Sequence, residues 1–166
     1  MIELILWDLD ETLLPSEHLR TARHQSAPGD LRNIEGFTDT ALHDGVARVM
    51  ERSTEFRMGL VTSSPRWYVQ QIVDFLLPEA CFDVTVTYED ASKIKPDPEP
   101  LLVALHSAGT DPQRSVYIGD SHLDAQACVS AGVRFLGAGW SDEPTFPSGV
   151  EVLQHPLDIW IILEAS

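Results

Sequence analysis

Apolar residues gather in five short runs, at positions 2–7, 56–61, 82–87, 115–118 and 133–138. Each is of strand length and nearly continuous rather than alternating, as expected of a strand buried on both faces. Between them the apolar positions recur at helical spacing, as Val69, Ile72, Val73 and Leu76 within 67–77 and as Leu101, Leu102 and Leu105 within 100–108. Strands alternating with amphipathic helices predict an α/β fold: a doubly wound, Rossmann-like parallel sheet of about five strands with helices on both faces. Positions 139–149 are turn-rich, and 156–165 predicts a closing helix. One segment, 15–39, breaks the alternation. It mixes His18, Arg20, Arg23, His24, Pro28, Gly29, Asp30 and Arg32 with few apolar anchors, and it reads as an insert or mobile loop within a single domain spanning 1–166.

A chain of 166 residues can bury roughly 70% of its unfolded surface, so no disulfide or zinc staple is needed. Cys81 and Cys128 sit in apolar contexts without metal-like or redox-like spacing, which suits buried free thiols in a reducing compartment. The chain opens directly on an apolar run with no basic leader, and no run is long enough to span a bilayer; a cytoplasmic location is expected. Eleven basic against 26 acidic residues give a formal charge of −15, which weighs against nucleic acid and membrane surfaces as partners. Lys93 and Lys95 are the only lysines, so lysine chemistry has a single address.

In an open parallel sheet, ligands bind beyond the carboxyl ends of the strands. The first run ends in Asp8-Leu9-Asp10-Glu11-Thr12, the second in Thr62-Ser63-Ser64, and the fourth in Gly119-Asp120 with Asp124 four residues on; Lys95-Pro96 precedes a helix. These residue types suit phosphoryl transfer. Mg²⁺ takes hard oxygen ligands, which Asp8 and Asp120 can supply. Asp8 can attack phosphorus and form an aspartyl-phosphate, splitting one hard displacement into two easier ones. Asp10 can protonate the departing oxygen and later deprotonate water. Lys95, the Thr62 hydroxyl and nearby backbone N–H groups can neutralise the transferring oxygens. Ser63 or Ser64 before Pro65 resembles a helix start, which attracts phosphate.

On these motifs, over roughly residues 1–139, the sequence resembles the haloacid dehalogenase superfamily, most closely its phosphoglycolate-phosphatase-like branch. Asp8, Asp10 and Thr12 match the first motif, Gly59-Leu60-Val61-Thr62 the second, Lys95 the family lysine, and Gly119-Asp120-Ser121-His122-Leu123-Asp124 the metal-binding acids. The resemblance implies Asp8 as nucleophile and Mg²⁺ ligand, Asp10 as acid/base with its carbonyl on the metal, Asp120 as a further ligand, and Asp124 as an acid supporting metal or lysine. Thr12, Ser63 and Arg66 are the candidate substrate contacts. A second acid at Asp10 favours a phosphatase, because halide-displacing members lack it and ion pumps carry threonine there. Glu11 departs from the glycine of many relatives, and 15–39 is much shorter than the helical cap of relatives acting on metabolites. It is expected as a short cap-like insert.

A Mg²⁺-dependent phosphomonoester hydrolase is therefore expected, acting on a phosphorylated small molecule or a phosphoprotein. A phosphoprotein phosphatase or phosphotransferase of the same superfamily is the alternative. A phospho-accepting receiver module uses similar residues in another order, with a lysine after the fifth strand, and none follows Lys95. Arg20, Arg23 and Arg32 are either contacts for the anionic remainder of a substrate or solvent-facing. Trp67 and Tyr68 read as packing or rim residues, Trp140 as an entrance wall or a seal on the sheet end, and His122 as a surface residue or substrate contact.

Overall fold

The alternation is realised as an all-parallel sheet in the computed structural model, which describes residues 1–25, 28–80 and 82–164. Strand β1 (Leu4–Trp7) is flanked by β2 (Arg57–Val61) and then β3 (Val84–Val86) on one side. On the other side lie β4 (Ser115–Gly119), β5 (Arg134–Ala138) and β6 (Val152–Leu153). The five expected runs are all strands, and the sheet has six rather than about five. The extra strand β6 pairs its two residues with Gly137 and Ala138, and two residues are too few to display a period.

The strands read as unbroken apolar runs because both faces are covered. Leu4 and Leu6 of β1 join Val61, Val84 and Tyr117 in one core layer, beneath α4 (Glu99–Ala108) and α5 (His122–Ala131). Ile5 and Trp7 point the other way, into a second layer with Met58, Leu60, Val116 and Ile118. All four β1 side chains are at most 1% exposed, and each such burial is worth about 1.5–3 kcal/mol. The second layer is covered by α2 (Val46–Met50), α3 (Arg66–Leu76) and α6 (Ile159–Glu164), the last being the expected closing helix. α3 starts one residue before the expected helix and ends one residue short of it.

The segment 15–39 is tied to the body. Its described residues form single helical turns, Glu17–Leu19, Leu31–Asn33 and Phe37–Asp39, with α1 (Arg20–Arg23) continuing the first. Each turn buries a side chain, Leu19, Ala22, Leu31 or Phe37, in the layer that holds Ile5 and Trp7. α3 provides the seat: the Leu31 N–H donates to Gln71 Oε1 (2.8 Å), Gln71 Nε2 donates to the Gly29 carbonyl (2.7 Å), and Phe37 meets Phe75 at 4.8 Å between centroids. Cys128 is a buried free thiol, and Cys81 lies outside the described residues. Among the described residues no helix is long and apolar enough to cross a membrane.

Candidate active site

Parallel register brings the chemistry together. Trp7 lies beside Leu60 on β2 and Ile118 on β4, so the residues that follow these strands emerge side by side at one edge of the sheet. The Asp8 N–H still donates to the Ile118 carbonyl (2.9 Å), which fixes Asp8 where the ladder ends. Lys95 arrives from the segment before α4, and its buried ammonium donates to Asp8 Oδ1 (2.7 Å), Asp124 Oδ1 (2.6 Å) and Tyr117 Oη (2.8 Å). Asp124 is held by the start of α5, where Ser121 donates to its Oδ2 from both Oγ (2.6 Å) and N (3.1 Å). Asp8, Asp120 and Asp124 then present carboxylate oxygens within 4.8 Å of one another.

These carboxylates outnumber the cation among them. Burial pushes the Asp8 carboxyl well above its usual range; Lys95 opposes the shift, while Asp124 and Asp120 add to it. Burial, reinforced by Asp124, pushes Asp120 up to about 6. For Asp124 burial acts upward too, yet Lys95 and the Ser121 donors hold it below the ordinary value. Burial opposes the Lys95 charge, but Asp124 and Asp8 outweigh it and raise its pKa. An all-oxygen, electron-rich cluster short of positive charge fits a hard divalent cation such as Mg²⁺.

Gly119 leaves room for this arrangement. A Cβ there would lie 2.7 Å from Asp124 Cγ and Oδ2. Gly119→Ala is expected to displace Asp124 from Lys95, costing about 1–3 kcal/mol of stability and roughly tenfold or more in kcat/KM. Thermal unfolding and steady-state kinetics check both, and an unaltered kcat/KM would show that the placement of Asp124 is not critical.

Asp10 reaches the same cleft by a tight fold-back of the chain. Glu11 takes φ = 63°, the left-handed region that glycine enters freely, at a cost of about 1–2 kcal/mol. Its own bonds offset the strain: Glu11 Oε1 accepts from the Ser16 N–H (2.8 Å), and its carbonyl lies 2.9 Å from His43 Nε2. Ser16 Oγ lies 2.7 Å from Asp10 Oδ1 and 3.0 Å from Glu11 Oε1. Asp10 Oδ1 also accepts from Tyr68 Oη (2.8 Å) and pairs with Arg23 Nη1 (2.6 Å), while Oδ2 accepts from Ser64 Oγ (2.5 Å). Burial, with the Asp10 charge adding to it, raises the Tyr68 pKa, so the phenol remains a donor.

Asp8, Asp10, Thr62, Ser63 and Lys95 thus line one cleft, with Asp124 at its floor. Thr12 and Arg66 do not line it. Thr12 is fully buried behind Asp120, donating to its Oδ1 (3.2 Å), while its carbonyl accepts from Trp140 Nε1 (2.8 Å). The Arg66 guanidinium turns outward to Asp90 (2.5 Å), because the first residue of α3 faces solvent rather than the sheet edge. The carboxylate of Asp10 is engaged by Ser16, Ser64, Tyr68 and Arg23 and lies outside the cluster of Asp8, Asp120 and Asp124. His122 is exposed, with Nδ1 3.5 Å from Thr145 Oγ1. Sequence reasoning did not single out Tyr117, and it took Tyr68 for packing or rim. Tyr68 falls two residues after the start of α3, a placement that could have suggested it.

Comparison with known proteins identifies relatives by sequence and by fold. Residues 30–138 match the profile of the haloacid dehalogenase-like hydrolases, a span that includes Thr62, Lys95, Asp120 and Asp124. Pyrophosphatase PpaX of Bacillus velezensis is 35% identical over 86 residues, which cover 52% of this chain and 40% of that protein. PpaX of Bacillus cereus strain AH820 is 24% identical over 182 residues, 84% of each chain. The crystal structure of a protein assigned to phosphoglycolate phosphatase from Lactobacillus plantarum superposes with a TM-score of 0.72 at 25% identity, over 98% of this chain and 100% of that one. CbbY from Rhodobacter sphaeroides, solved with phosphate, shares the fold with a TM-score of 0.73 at 22% identity, over 93% of this chain and 95% of its own. With its parallel sheet and strand-end acids, this chain belongs to the haloacid dehalogenase-like hydrolase family.

Proposed function

We propose that the chain is a Mg²⁺-dependent phosphomonoester hydrolase working through an aspartyl-phosphate on Asp8. The observation that carries this reading is the presence of two carboxylates with different partners in one cleft: Asp8 against Lys95, and Asp10 among Ser16, Ser64, Tyr68 and Arg23. Environments that differ in this way assign different roles to chemically identical groups.

In the first step a carboxylate oxygen of Asp8 attacks phosphorus as the bond from phosphorus to the leaving oxygen breaks, and Asp10, as general acid, passes a proton to that oxygen. Lys95 keeps Asp8 oriented, and the Thr62 hydroxyl with Ser63, which line the same cleft, can neutralise the phosphoryl oxygens. In the second step Asp10 takes a proton from water, whose oxygen attacks the acyl-phosphate phosphorus. This frees the Asp8 carboxylate and inorganic phosphate. Asp8, Asp120 and the Asp10 carbonyl would hold Mg²⁺, with Asp124 in support. When bound, Mg²⁺ supplies charge neutralisation at the phosphoryl oxygens.

Relatives named for pyrophosphate and phosphoglycolate support a small phosphorylated substrate. Phosphate release from p-nitrophenyl phosphate is expected with Mg²⁺ and to fall at least ~100-fold in excess chelator. Full activity in chelator would overturn the metal assignment.

A further inference from the structure

Of the three arginines in 15–39, two are spent on the surface: Arg20 pairs with Glu17 at 63% side-chain exposure, and Arg32 with Asp30 at 77%. Arg23 is different. Its side chain is 14% exposed, lines the cleft, and places Nη1 2.6 Å from Asp10 Oδ1 and 2.9 Å from Ser16 Oγ. Lys95, the other cation lining that cleft, already serves Asp8 and Asp124 at its floor. The two positive charges therefore stand at the two acids, Lys95 at the nucleophile and Arg23 at the acid/base.

Asp10 must come within hydrogen-bond reach of the leaving oxygen in order to protonate it. That places the leaving oxygen within roughly 5–8 Å of Arg23 Nη1, whichever Asp10 oxygen is used. A group one or two bonds beyond the leaving oxygen is then within reach of the guanidinium, whose five-donor fork suits planar carboxylates and phosphates. Burial has stripped water from Arg23, which strengthens such a contact. The ion pair with Asp10 also holds the fork in place before substrate arrives, so little side-chain freedom is lost on binding.

We infer that Arg23 is the specificity-determining residue of the site, and that the preferred substrates are phosphoryl compounds whose leaving group carries a second anion, a carboxylate or a phosphate. The inference rests on the phosphatase reading for its catalytic meaning. The binding of a second anion at Arg23 does not depend on turnover.

The test uses both properties on the full chain with saturating Mg²⁺. Calorimetry compares phosphonoacetate with propylphosphonate, which have similar size but differ by one carboxylate. Wild type is expected to bind phosphonoacetate at least tenfold more tightly, and Arg23→Met to lose that preference. In turnover, the ratio of kcat/KM for phosphoglycolate over ethyl phosphate is expected to fall about 10- to 100-fold in Arg23→Met. Arg23→Gln serves if Arg23→Met does not fold. No wild-type preference for phosphonoacetate, or a preference and ratio that survive the substitution within threefold, would overturn the inference. A wild-type protein that prefers phosphonoacetate through Arg23 yet hydrolyses no phosphoester would uphold Arg23 as the anion contact and refute the phosphatase reading instead.

Discussion

Asp8→Asn is expected to lower kcat/KM for any phosphomonoester by at least ~10⁴-fold while leaving the Tm of the metal-free protein unchanged or higher. The amide cannot attack phosphorus, and Lys95 and Asp10 cannot substitute for a missing nucleophile. The stability half of the expectation follows from electrostatics. Burial, against the opposing pull of Lys95, raises the Asp8 carboxyl well above its usual range, so the folded protein disfavours the ionised form relative to the unfolded chain. A raised carboxyl pKa makes this group's contribution more destabilising as pH rises past the unfolded value. The neutral amide removes that penalty, and Lys95 retains Asp124 as a partner. Scanning calorimetry in chelator at neutral pH measures it. A drop of several degrees would mean that Asp8 serves the fold as well as the chemistry.

Lys95→Met is expected to cost about 3–5 kcal/mol at neutral pH, besides most of the activity, because two buried carboxylates lose their shared counter-ion. The sign of the pH dependence comes from Asp124. Burial works upward on it, but Lys95 and Ser121 together hold its carboxyl below the ordinary value, so it contributes stability above its unfolded pKa and loses that contribution as pH falls. Removing Lys95 removes a contribution that acid would remove anyway. The difference between wild type and variant should therefore hold from pH 7 down to the ordinary carboxylate value of about 4 and narrow only below it, toward about pH 2. Denaturant unfolding at about pH 7 and about pH 2 checks it. An equal cost at both would locate the role of Lys95 in packing rather than charge.

The parallel sheet was legible because a strand covered on both faces has no polar position, as Leu4, Ile5, Leu6 and Trp7 show. The site was legible for a related reason: parallel strands deliver their carboxyl ends to one edge, so Asp8, Thr62 and Asp120 could be grouped without knowing the strand order. Residues 15–39 hid their structure because each single turn buries one side chain and no period can build up from Leu19 to Leu31 to Phe37. α2, only five residues long, escaped for the same reason. Arg23 and Tyr68 meet at Asp10 from separate elements, through contacts that no local pattern encodes. Arg66 shows the converse, since adjacency to Ser63 and Ser64 along the chain did not decide which way the helix would turn it.

A phosphoryl group carried transiently by Asp8 is what the proposed mechanism requires. The most direct measurement is rapid acid quench during turnover of a ³²P-labelled substrate by Asp10→Asn, in which attack by water is slowed and the intermediate should accumulate. Peptide mapping then locates the label. An acid-stable, hydroxylamine-labile phosphate is expected on the peptide containing Asp8, at a higher level than in wild type. Label on a serine, histidine or any other residue, or product release with no protein-bound phosphate at any time, would contradict it.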